Sequence, residues 1–393
     1  MQLEEAMQLK SDSQQIQYSS SNPESPLLLS LILCSRNDRF QGNSLWRLET
    51  TLNFAARQLA EIGHLEDVEI LVTDWGSTEL LRDAVQLGEE AHKIVRFLTI
   101  PTELAKEKQR DSRFAEVFAI NAAARRSRGQ YVGRIDQDTL VGGRFLQWFF
   151  TALDDPQSQP FQLESTIMIS NRRRIPYHFA VRCPQFPLVE RYVKWFDRVL
   201  PRMALPLPNS EYWQCYIGIV LLHRQLWDEC GGYDESFIYY GFMEFDLFLR
   251  LRMRYEGVDL GLTIDEDFYH LDHVPGWLIW HKPRLGVAKG NPVRTAENPP
   301  PEFCPSGSGW GLVNHHLALD TASNAPIPAT ADDMRWSTSR WLNLITLTAL
   351  STVLTLSSIA FDYLKLLVRR SKGWAKRNLT QSISSTKPND ASF

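Results

Sequence analysis

The chain has 393 residues, and its apolar share of 44% and charged share of 22% are ordinary for a protein that folds into a globular core. A formal net charge of −4 argues against an overall basic nucleic-acid binder, so no nucleic-acid partner is expected. The five cysteines include no CxxC pair, which argues against a zinc ribbon, leaves a disulfide framework unsupported and favours a reducing compartment such as the cytoplasm.

The first 26 residues are polar and contain no apolar stretch of the kind that a signal peptide requires. Their composition, rich in Ser and Gln, is typical of a segment that does not bury a core. They are predicted to form a disordered leader.

From residue 27 onward, apolar runs of strand length alternate with segments of helical spacing. The runs predict strands at 27–34, 68–72, 94–100 and 131–135, and the spacing predicts helices at 45–62 and 114–126. Such alternation is typical of βαβ units, so the predicted fold class is α/β with a mostly parallel sheet flanked by helices. Polar loops at 35–38, 74–78 and 136–138 follow three of these strands, at the sheet edge where ligands bind.

The later part of the chain is less regular. Residues 156–232 are rich in aromatics and Arg, 237–253 include a helical segment with carboxylates, and 260–269 form a strand-like run. Residues 286–335 are Pro-rich and polar, which predicts mostly loop. The predicted domains are a catalytic domain at 27–320, a linker at 321–335, a helix at 336–370 and a basic, disordered tail at 371–393.

Two nucleotide-binding templates are absent from the sequence. No GxGxxG follows the first strand and no GxxxxGK[ST] occurs, so a phosphate-bearing ligand must be held in another way. Asp136-Gln137-Asp138 follows a buried strand, and carboxylates in this position can hold Mg²⁺ or Mn²⁺ with room for phosphate oxygens. A solvated turn is the alternative interpretation of this motif.

Several motifs occur together in a characteristic order. They are SRND at the first strand, EILVTDWGST, AINAAARRSRGQYVGRIDQDTLV, GGYDESFIYYGFMEFDLFLRLR, FYHLDH and WGL. In this order and spacing the sequence resembles glycosyltransferases of the GT-A fold, family-2-like enzymes with a C-terminal galactosyltransferase-type region, over about residues 27 to 319. The resemblance implies a Rossmann-like nucleotide-diphospho-sugar transferase fold.

The resemblance also implies roles for donor-binding residues. Asp74 matches the acid that contacts the uracil of a UDP donor, although a turn former is an equally good interpretation of this residue alone. Asp136 matches the acid that faces the ribose or the metal. Other donor-binding candidates are Ser35 and Asn37 in the first polar loop and Asn121 and Arg134 beside the metal loop, for which packing is an alternative.

The metal ligands implied by the resemblance are one acid and two histidines. Asp138 matches a direct metal ligand, His273 matches a further ligand, and His270 is a weaker candidate for the same role. Neutral imidazole suits Mn²⁺ better than Mg²⁺.

Glu244 stands where the related enzymes carry the general base that deprotonates the acceptor hydroxyl. The family usually shows Glu-Asp-x-Asp-Leu there, whereas this chain has Met243 and Glu244 in the first two positions. Asp246 keeps the pattern and is the second catalytic candidate. The structural alternative is that Arg250 pairs with Asp246 at the i,i+4 spacing of a helix.

The C-terminal segment at 341–361 is uncharged, and polar residues recur at steps of three and four from Thr348 to Arg369. This stripe, followed by a basic cluster, predicts an interfacial helix on an anionic membrane surface. A single span and a helix docked on a partner are the alternatives. With no signal peptide, the expected location is the cytoplasmic face of a membrane.

The predicted function is metal-dependent transfer of a sugar from a nucleotide-sugar donor to a saccharide or glycoconjugate acceptor, with inversion. A sugar nucleotidyltransferase and a non-catalytic, membrane-tethered carbohydrate-binding protein are the two alternatives. Tyr212, Trp213 and Trp277 lie near expected acceptor surfaces, with core packing as their default role.

Overall fold

The structure is a computed structural model that describes residues 27–38, 42–199, 217–264, 267–273, 290–294, 298–300 and 302–328, and single residues at 342, 345, 346 and 349. The predicted leader, the acceptor candidates Tyr212, Trp213 and Trp277, the tail at 371–393 and nearly all of the helix predicted at 336–370 lie outside these residues. Within the described part of the chain, no helix has the length and apolar character needed to cross a bilayer.

Eleven strands are present among the described residues. They are β1 Leu29–Ser35, β2 Val68–Trp75, β3 Val95–Ile100, β4 Tyr131–Arg134, β5 Thr139–Val141, β6 Thr166–Asn171, β7 Arg173–Ile175, β8 Ile217–His223, β9 Glu256–Asp259, β10 Phe268–Leu271 and β11 Ala318–Asp320.

The helices surround these strands. They are α1 Ser44–Glu61, α2 Leu81–Ala84, α3 Glu89–Ile94, α4 Thr102–Gln109, α5 Glu116–Arg126, α6 Gly143–Asp154, α7 Tyr177–Ala180, α8 Phe186–Val199, α9 Arg224–Cys230, α10 Met243–Leu251 and α11 Leu260–Ile264.

The large sheet has the strand order β11-β3-β2-β1-β4-β8-β6-β9. Its four central strands, β3, β2, β1 and β4, are all parallel to one another. In the described part of this sheet, three further pairs are antiparallel, at β11–β3, β4–β8 and β6–β8, and β6–β9 is parallel. The predicted α/β class with a mainly parallel sheet is confirmed.

The core lies on both faces of this sheet because the central strands are apolar on both sides. Leu29, Leu31 and Leu33 of β1 point into one cluster, which α1 and α6 cover. Ile32 between them points into the opposite cluster, which α5, α9 and α10 cover. The sequence of a strand that is buried on both faces is a nearly continuous run of apolar residues. The first strands were predictable from the sequence for this reason.

A smaller sheet of order β5-β10-β7 lies next to the large one. Strand β10 runs antiparallel to β5, with His270 opposite Thr139, and parallel to β7. This pairing places the histidine-bearing strand beside the loop that follows β4.

The prediction of a strand over 260–269 was wrong in its first half. Residues Leu260–Ile264 form α11, and the strand is confined to Phe268–Leu271. A short apolar run does not distinguish a buried strand from a buried helix turn, so periodicity alone could not separate the two. The irregular middle section also contains regular elements, including β6, β8 and the long helix α8.

Residues 318–328 pack against the edge of the large sheet. Strand β11 pairs with β3, the Ser323 amide donates to the Arg82 carbonyl at 2.9 Å, and the Ile327 amide donates to the Leu87 carbonyl at 2.8 Å. Part of the segment predicted as a linker from residue 321 therefore contacts the sheet domain.

Candidate functional site

The three polar loops meet at the carboxyl edge of the parallel strands. The Ser35 hydroxyl donates to the side-chain oxygen of Gln137, which joins the loops after β1 and β4. The Asn37 amide donates to the Ser77 hydroxyl at 2.9 Å, which joins the loops after β1 and β2. The edge predicted from the sequence as a ligand site is thus one continuous surface.

Asp138, His270 and His273 form a cluster whose potential ligand atoms all lie within 4.8 Å of one another. His270 Nδ1 is 3.0 Å from Asp138 Oδ1, and His273 Nε2 is 3.5 Å from Asp138 Oδ2. The Leu271 amide donates to the Asp138 carbonyl at 2.9 Å, so β10 is fixed against the acid's own backbone. The structure brings together the three residues that the resemblance implied as metal ligands.

This cluster fits a divalent cation. Among the described residues the buried His270 Nδ1 has no hydrogen bond of regular geometry, although it lies 3.0 Å from Asp138 Oδ1. Burial lowers the pKa of His273 to about 4, so its imidazole is neutral at pH 7 and keeps a lone pair for a metal. Burial opposes ionisation of Asp138, but the neighbouring His270 and His273 hold its pKa well below the usual range. One carboxylate and two imidazoles are a donor set for a first-row divalent metal.

Arg47 of α1 is a fully buried charge next to this cluster. Its Nε lies 3.5 Å from Asp138 Oδ2, and its Nη1 donates to Asn43 Oδ1 at 2.7 Å. Sequence reasoning missed Arg47, because a lone Arg on an otherwise apolar helix face does not reveal its partner. Burial lowers the pKa of the Arg47 guanidinium, and the neighbouring Asp138 carboxylate opposes this shift.

A second cluster surrounds Arg134, the last residue of β4, which is 3% exposed. Its Nη2 lies 2.6 Å from Glu116, 2.7 Å from Asp136 and 3.2 Å from Glu244. Arg134, predicted as a donor-phosphate contact, is therefore surrounded by three carboxylates. Glu116 was not predicted from the sequence, where it is one more acid in the first turn of a helix.

Arg172 connects the two clusters. Its Nη1 bonds the Asp136 carboxylate and donates to Thr139 Oγ1 at 3.2 Å. Burial opposes the charge on Arg172, but Asp136 and Asp138 raise the pKa of its guanidinium. The DxD acids thus face different partners, with Asp136 between two arginines and Asp138 between two histidines.

Glu244 lies in the first turn of α10, and its side chain is 14% exposed. The turn before it is sharp, with φ of +82° at Gly241 and +64° at Phe242. Left-handed φ at a non-glycine residue is uncommon and often occurs near functional sites. Burial raises the pKa of Glu244, while Arg134 opposes the shift. A partly desolvated carboxylate with a raised pKa is suited to accept a proton.

Asp246 lies deeper than Glu244, at 1% exposure, and accepts from Arg250 Nε at 2.8 Å. The predicted i,i+4 pair is confirmed by this distance. Arg250 also donates to three main-chain carbonyls, those of Cys230, Gly232 and Phe303. Asp246 Oδ1 also lies 3.5 Å from Arg294 Nε, so the Asp246–Arg250 pair joins α10 to neighbouring loops. The catalytic assignment of Asp246 stays a prediction.

Replacing Arg250 with Met should destabilise the fold by about 3 to 5 kcal/mol, because the buried Asp246 carboxylate loses its hydrogen-bonded cation and keeps only Arg294, at 3.5 Å, among the described cations. Urea unfolding measures this difference. The matched control is Arg252→Met, an exposed residue directly after the end of the same helix, which should stay within about 0.5 kcal/mol of the wild type. Equal stability of the two variants would contradict a structural role for the Asp246–Arg250 pair.

Asp74 is 1% exposed and accepts three hydrogen bonds within its own loop. Its Oδ1 accepts from the amide and hydroxyl of Ser77, and its Oδ2 accepts from the Leu81 amide at 2.8 Å. Burial raises the pKa of this carboxyl, while these bonds oppose the shift. Asp74 therefore shapes the loop after β2, as the turn-former interpretation expects, and its contact with a base stays a prediction.

Asn121 is fully buried in α5, and its side chain hydrogen-bonds to the backbone of the turn that follows α9. Its Oδ1 accepts from the Tyr233 amide at 2.8 Å, and its Nδ2 donates to the Tyr233 carbonyl at 2.9 Å. A Cβ on Gly232, which has φ of +65°, would lie 2.2 Å from Asn121 Oδ1. This packing accounts for Asn121, and its predicted donor contact stays untested.

Ser35 and Asn37 lie at the loop junctions already described, beside the second and third polar loops. Asn37 Nδ2 also lies 3.3 Å from the Glu79 carbonyl. These contacts are all within the protein, so the donor-binding roles of Ser35 and Asn37 stay predictions.

Comparisons with known proteins give one curated relative and several weakly similar structures. No protein-family model matches the chain. Validoxylamine A glucosyltransferase from Streptomyces hygroscopicus subsp. jinggangensis (strain 5008) is 26% identical over 226 residues, which cover 52% of this chain and 48% of the relative. The chain thus spans about half the length of the curated relative that it matches.

Among solved structures, S. aureus TarS 1-349 superposes with a TM-score of 0.38 at 13% identity, covering 62% of this chain and 60% of that chain. The catalytic domain of Drosophila beta1,4galactosyltransferase 7, in complex with xylobiose, gives 0.35 at 14% identity, with 67% and 77% covered. TM-scores this low carry no inference about this chain. Over the segment shared with the curated relative, the resemblance to glycosyltransferases that the motifs predicted is confirmed.

Proposed function

We propose that the chain is a glycosyltransferase that moves a sugar from a nucleotide-sugar donor to an acceptor hydroxyl. The observation that carries this proposal is the meeting of two clusters at one sheet edge. One is a set of metal-ligand type, Asp138, His270 and His273, and the other contains the Glu244 carboxylate. Asp136 and Arg172 join them. The curated relative's name, a glucosyltransferase, supports the same activity.

The chemistry divides between the clusters. Asp138, His270 and His273 would hold Mn²⁺ or Mg²⁺, which supplies stabilisation of negative charge on a leaving diphosphate. Glu244 accepts the proton of the acceptor hydroxyl as that oxygen attacks the donor's anomeric carbon. Arg134 lies 3.2 Å from Glu244 and keeps the carboxylate in position. One base on the acceptor side favours inversion at the anomeric carbon.

The finer assignments belong to this proposal. They are a GT-A fold, a UDP donor contacted by Asp74, a saccharide or glycoconjugate acceptor, and attachment to the cytoplasmic face of a membrane through residues 336–370. The histidines favour Mn²⁺ over Mg²⁺.

The proposed activity is tested by measuring whether the protein releases UDP from a UDP-sugar donor. The full chain is incubated with a panel of UDP-sugars and Mn²⁺, and released UDP is measured with and without EDTA. Release with at least one sugar, abolished by EDTA, is the expected result. Metal-dependent UDP binding without release across the panel would favour a carbohydrate-binding protein. Pyrophosphate release from UTP and a sugar phosphate would favour a nucleotidyltransferase.

A further inference from the structure

In the cluster around Arg134, a single nitrogen atom of the guanidinium, Nη2, lies close to three carboxylates. It lies within 2.6 Å of Glu116 Oε1, 2.7 Å of Asp136 Oδ1 and 3.2 Å of Glu244 Oε1. An arginine Nη carries only two N–H donors. Three charged oxygens therefore compete for two hydrogens, and they cannot all be bonded at once.

The charges of the cluster do not balance either. Asp136 has a second cation, because Arg172 bonds its other oxygen. Among the residues that the structure describes, Arg134 is the one cation that forms an ion pair with Glu116 or with Glu244. Three carboxylates around two arginines leave one negative charge in excess, which favours protonation of one of the two glutamates, Glu116 or Glu244.

The surroundings favour the same distribution of charge. Burial raises the pKa of Glu116 to about 7 and raises that of Glu244, with Arg134 opposing both shifts. Burial also opposes ionisation of Asp136, but Arg134 and Arg172 hold its pKa low. The titratable and charged groups that face the two glutamates are Arg134, Arg172, Asp136, Cys34, Tyr233 and Tyr240.

We propose that Glu116 is a positioning residue for sugar transfer, which shares the Arg134 guanidinium with Glu244 and sets the pH range in which Glu244 is free to accept a proton. The inference rests on the proposed function, since it assigns Glu244 as the base. When Glu116 is protonated, it no longer competes as a charged partner, and the Arg134 guanidinium pairs with Glu244. When Glu116 ionises, it competes for Arg134 and adds a negative charge beside the base.

Glu116→Gln removes that competition, so Glu244 should stay ionised to lower pH. The acid limb of the kcat/KM profile should move down by about one pH unit, since removing a nearby like charge lowers the pKa of a carboxyl. The control is Glu107→Gln on α4, an exposed glutamate outside the cluster, which should leave the profile unchanged. Glu116→Asp keeps the charge and should stay closer to wild type than the glutamine variant.

A readout that does not need activity is NMR titration of chain labelled with ¹³C at the Glu carboxyl carbons. A resonance titrating near pH 7 should vanish in Glu116→Gln, and the Glu244 resonance, identified by its loss in Glu244→Gln, should titrate at lower pH. A Glu244 resonance and a kcat/KM profile that do not move would overturn the proposal. Coupled resonances in a protein that transfers no sugar would refute the proposed function alone.

Discussion

Replacing Asp138 with alanine should abolish metal-dependent binding of UDP, weakening it by about 100-fold or more. Loss even of groups that orient a metal ligand costs about 10- to 100-fold in metal affinity, and a direct ligand should cost at least as much. Asp138 is the only acid in the described metal cluster, so its loss would leave His270 and His273 without a charged ligand. Calorimetry with UDP and Mn²⁺ measures the binding, and Mn²⁺ electron paramagnetic resonance measures the metal alone.

The design of this experiment must account for Arg47. Removing Asp138 leaves that buried guanidinium without its carboxylate neighbour, which itself costs stability. Asp138→Asn keeps the shape of the side chain and serves as the second variant, while Asp154→Ala at the exposed end of α6 is the matched control. Wild-type Mn²⁺ affinity in a folded Asp138→Asn protein would refute the metal assignment.

Replacing Glu244 with glutamine should keep donor affinity and reduce transfer by about 10² to 10⁴ fold, the usual contribution of a positioned general base. The amide has the size of the carboxylate and keeps an oxygen for Arg134, but it cannot accept the acceptor's proton. Calorimetry with UDP measures donor affinity, and kcat with a soluble acceptor measures transfer.

Asp246→Asn is the comparison for this variant. Asp246 is buried against Arg250, so its replacement should mainly reduce stability. If Glu244→Gln transferred normally and folded Asp246→Asn did not, the base would be Asp246, two residues further along α10.

The first half of the fold was predictable because its strands are buried on both faces. The runs at β1, β2, β3 and β4 are mainly apolar and contribute to the clusters on the two faces of the sheet, and α1 and α5 have regular apolar spacing. The strand prediction at 260–269 failed in its first half because a short, mainly apolar segment such as Leu260–Ile264 forms a helical turn as readily as a strand. The antiparallel strands β6 and β8 were missed in a section without clear periodicity.

The site residues that lie within a sequence motif were predictable. Those that join the site only through the fold were not. Asp138 and the two histidines follow from DxD and HLDH, and they do meet. The partners of those residues do not follow from any motif. Arg47, Glu116 and Arg172 come from separate elements, and only folding makes them neighbours of the DxD loop.

The pairing of β11 with β3 has a consequence for how the chain is made. Arg82 and Asp320, which bond beside this edge, are 238 residues apart, so at translation rates of 5 to 20 residues per second roughly 10 to 50 s separate their synthesis. Until Ala318–Asp320 emerge, β3 presents unpaired backbone groups to any neighbouring nascent chain. The nascent protein therefore passes through an interval in which β3 is an open edge of the sheet and can pair with another chain.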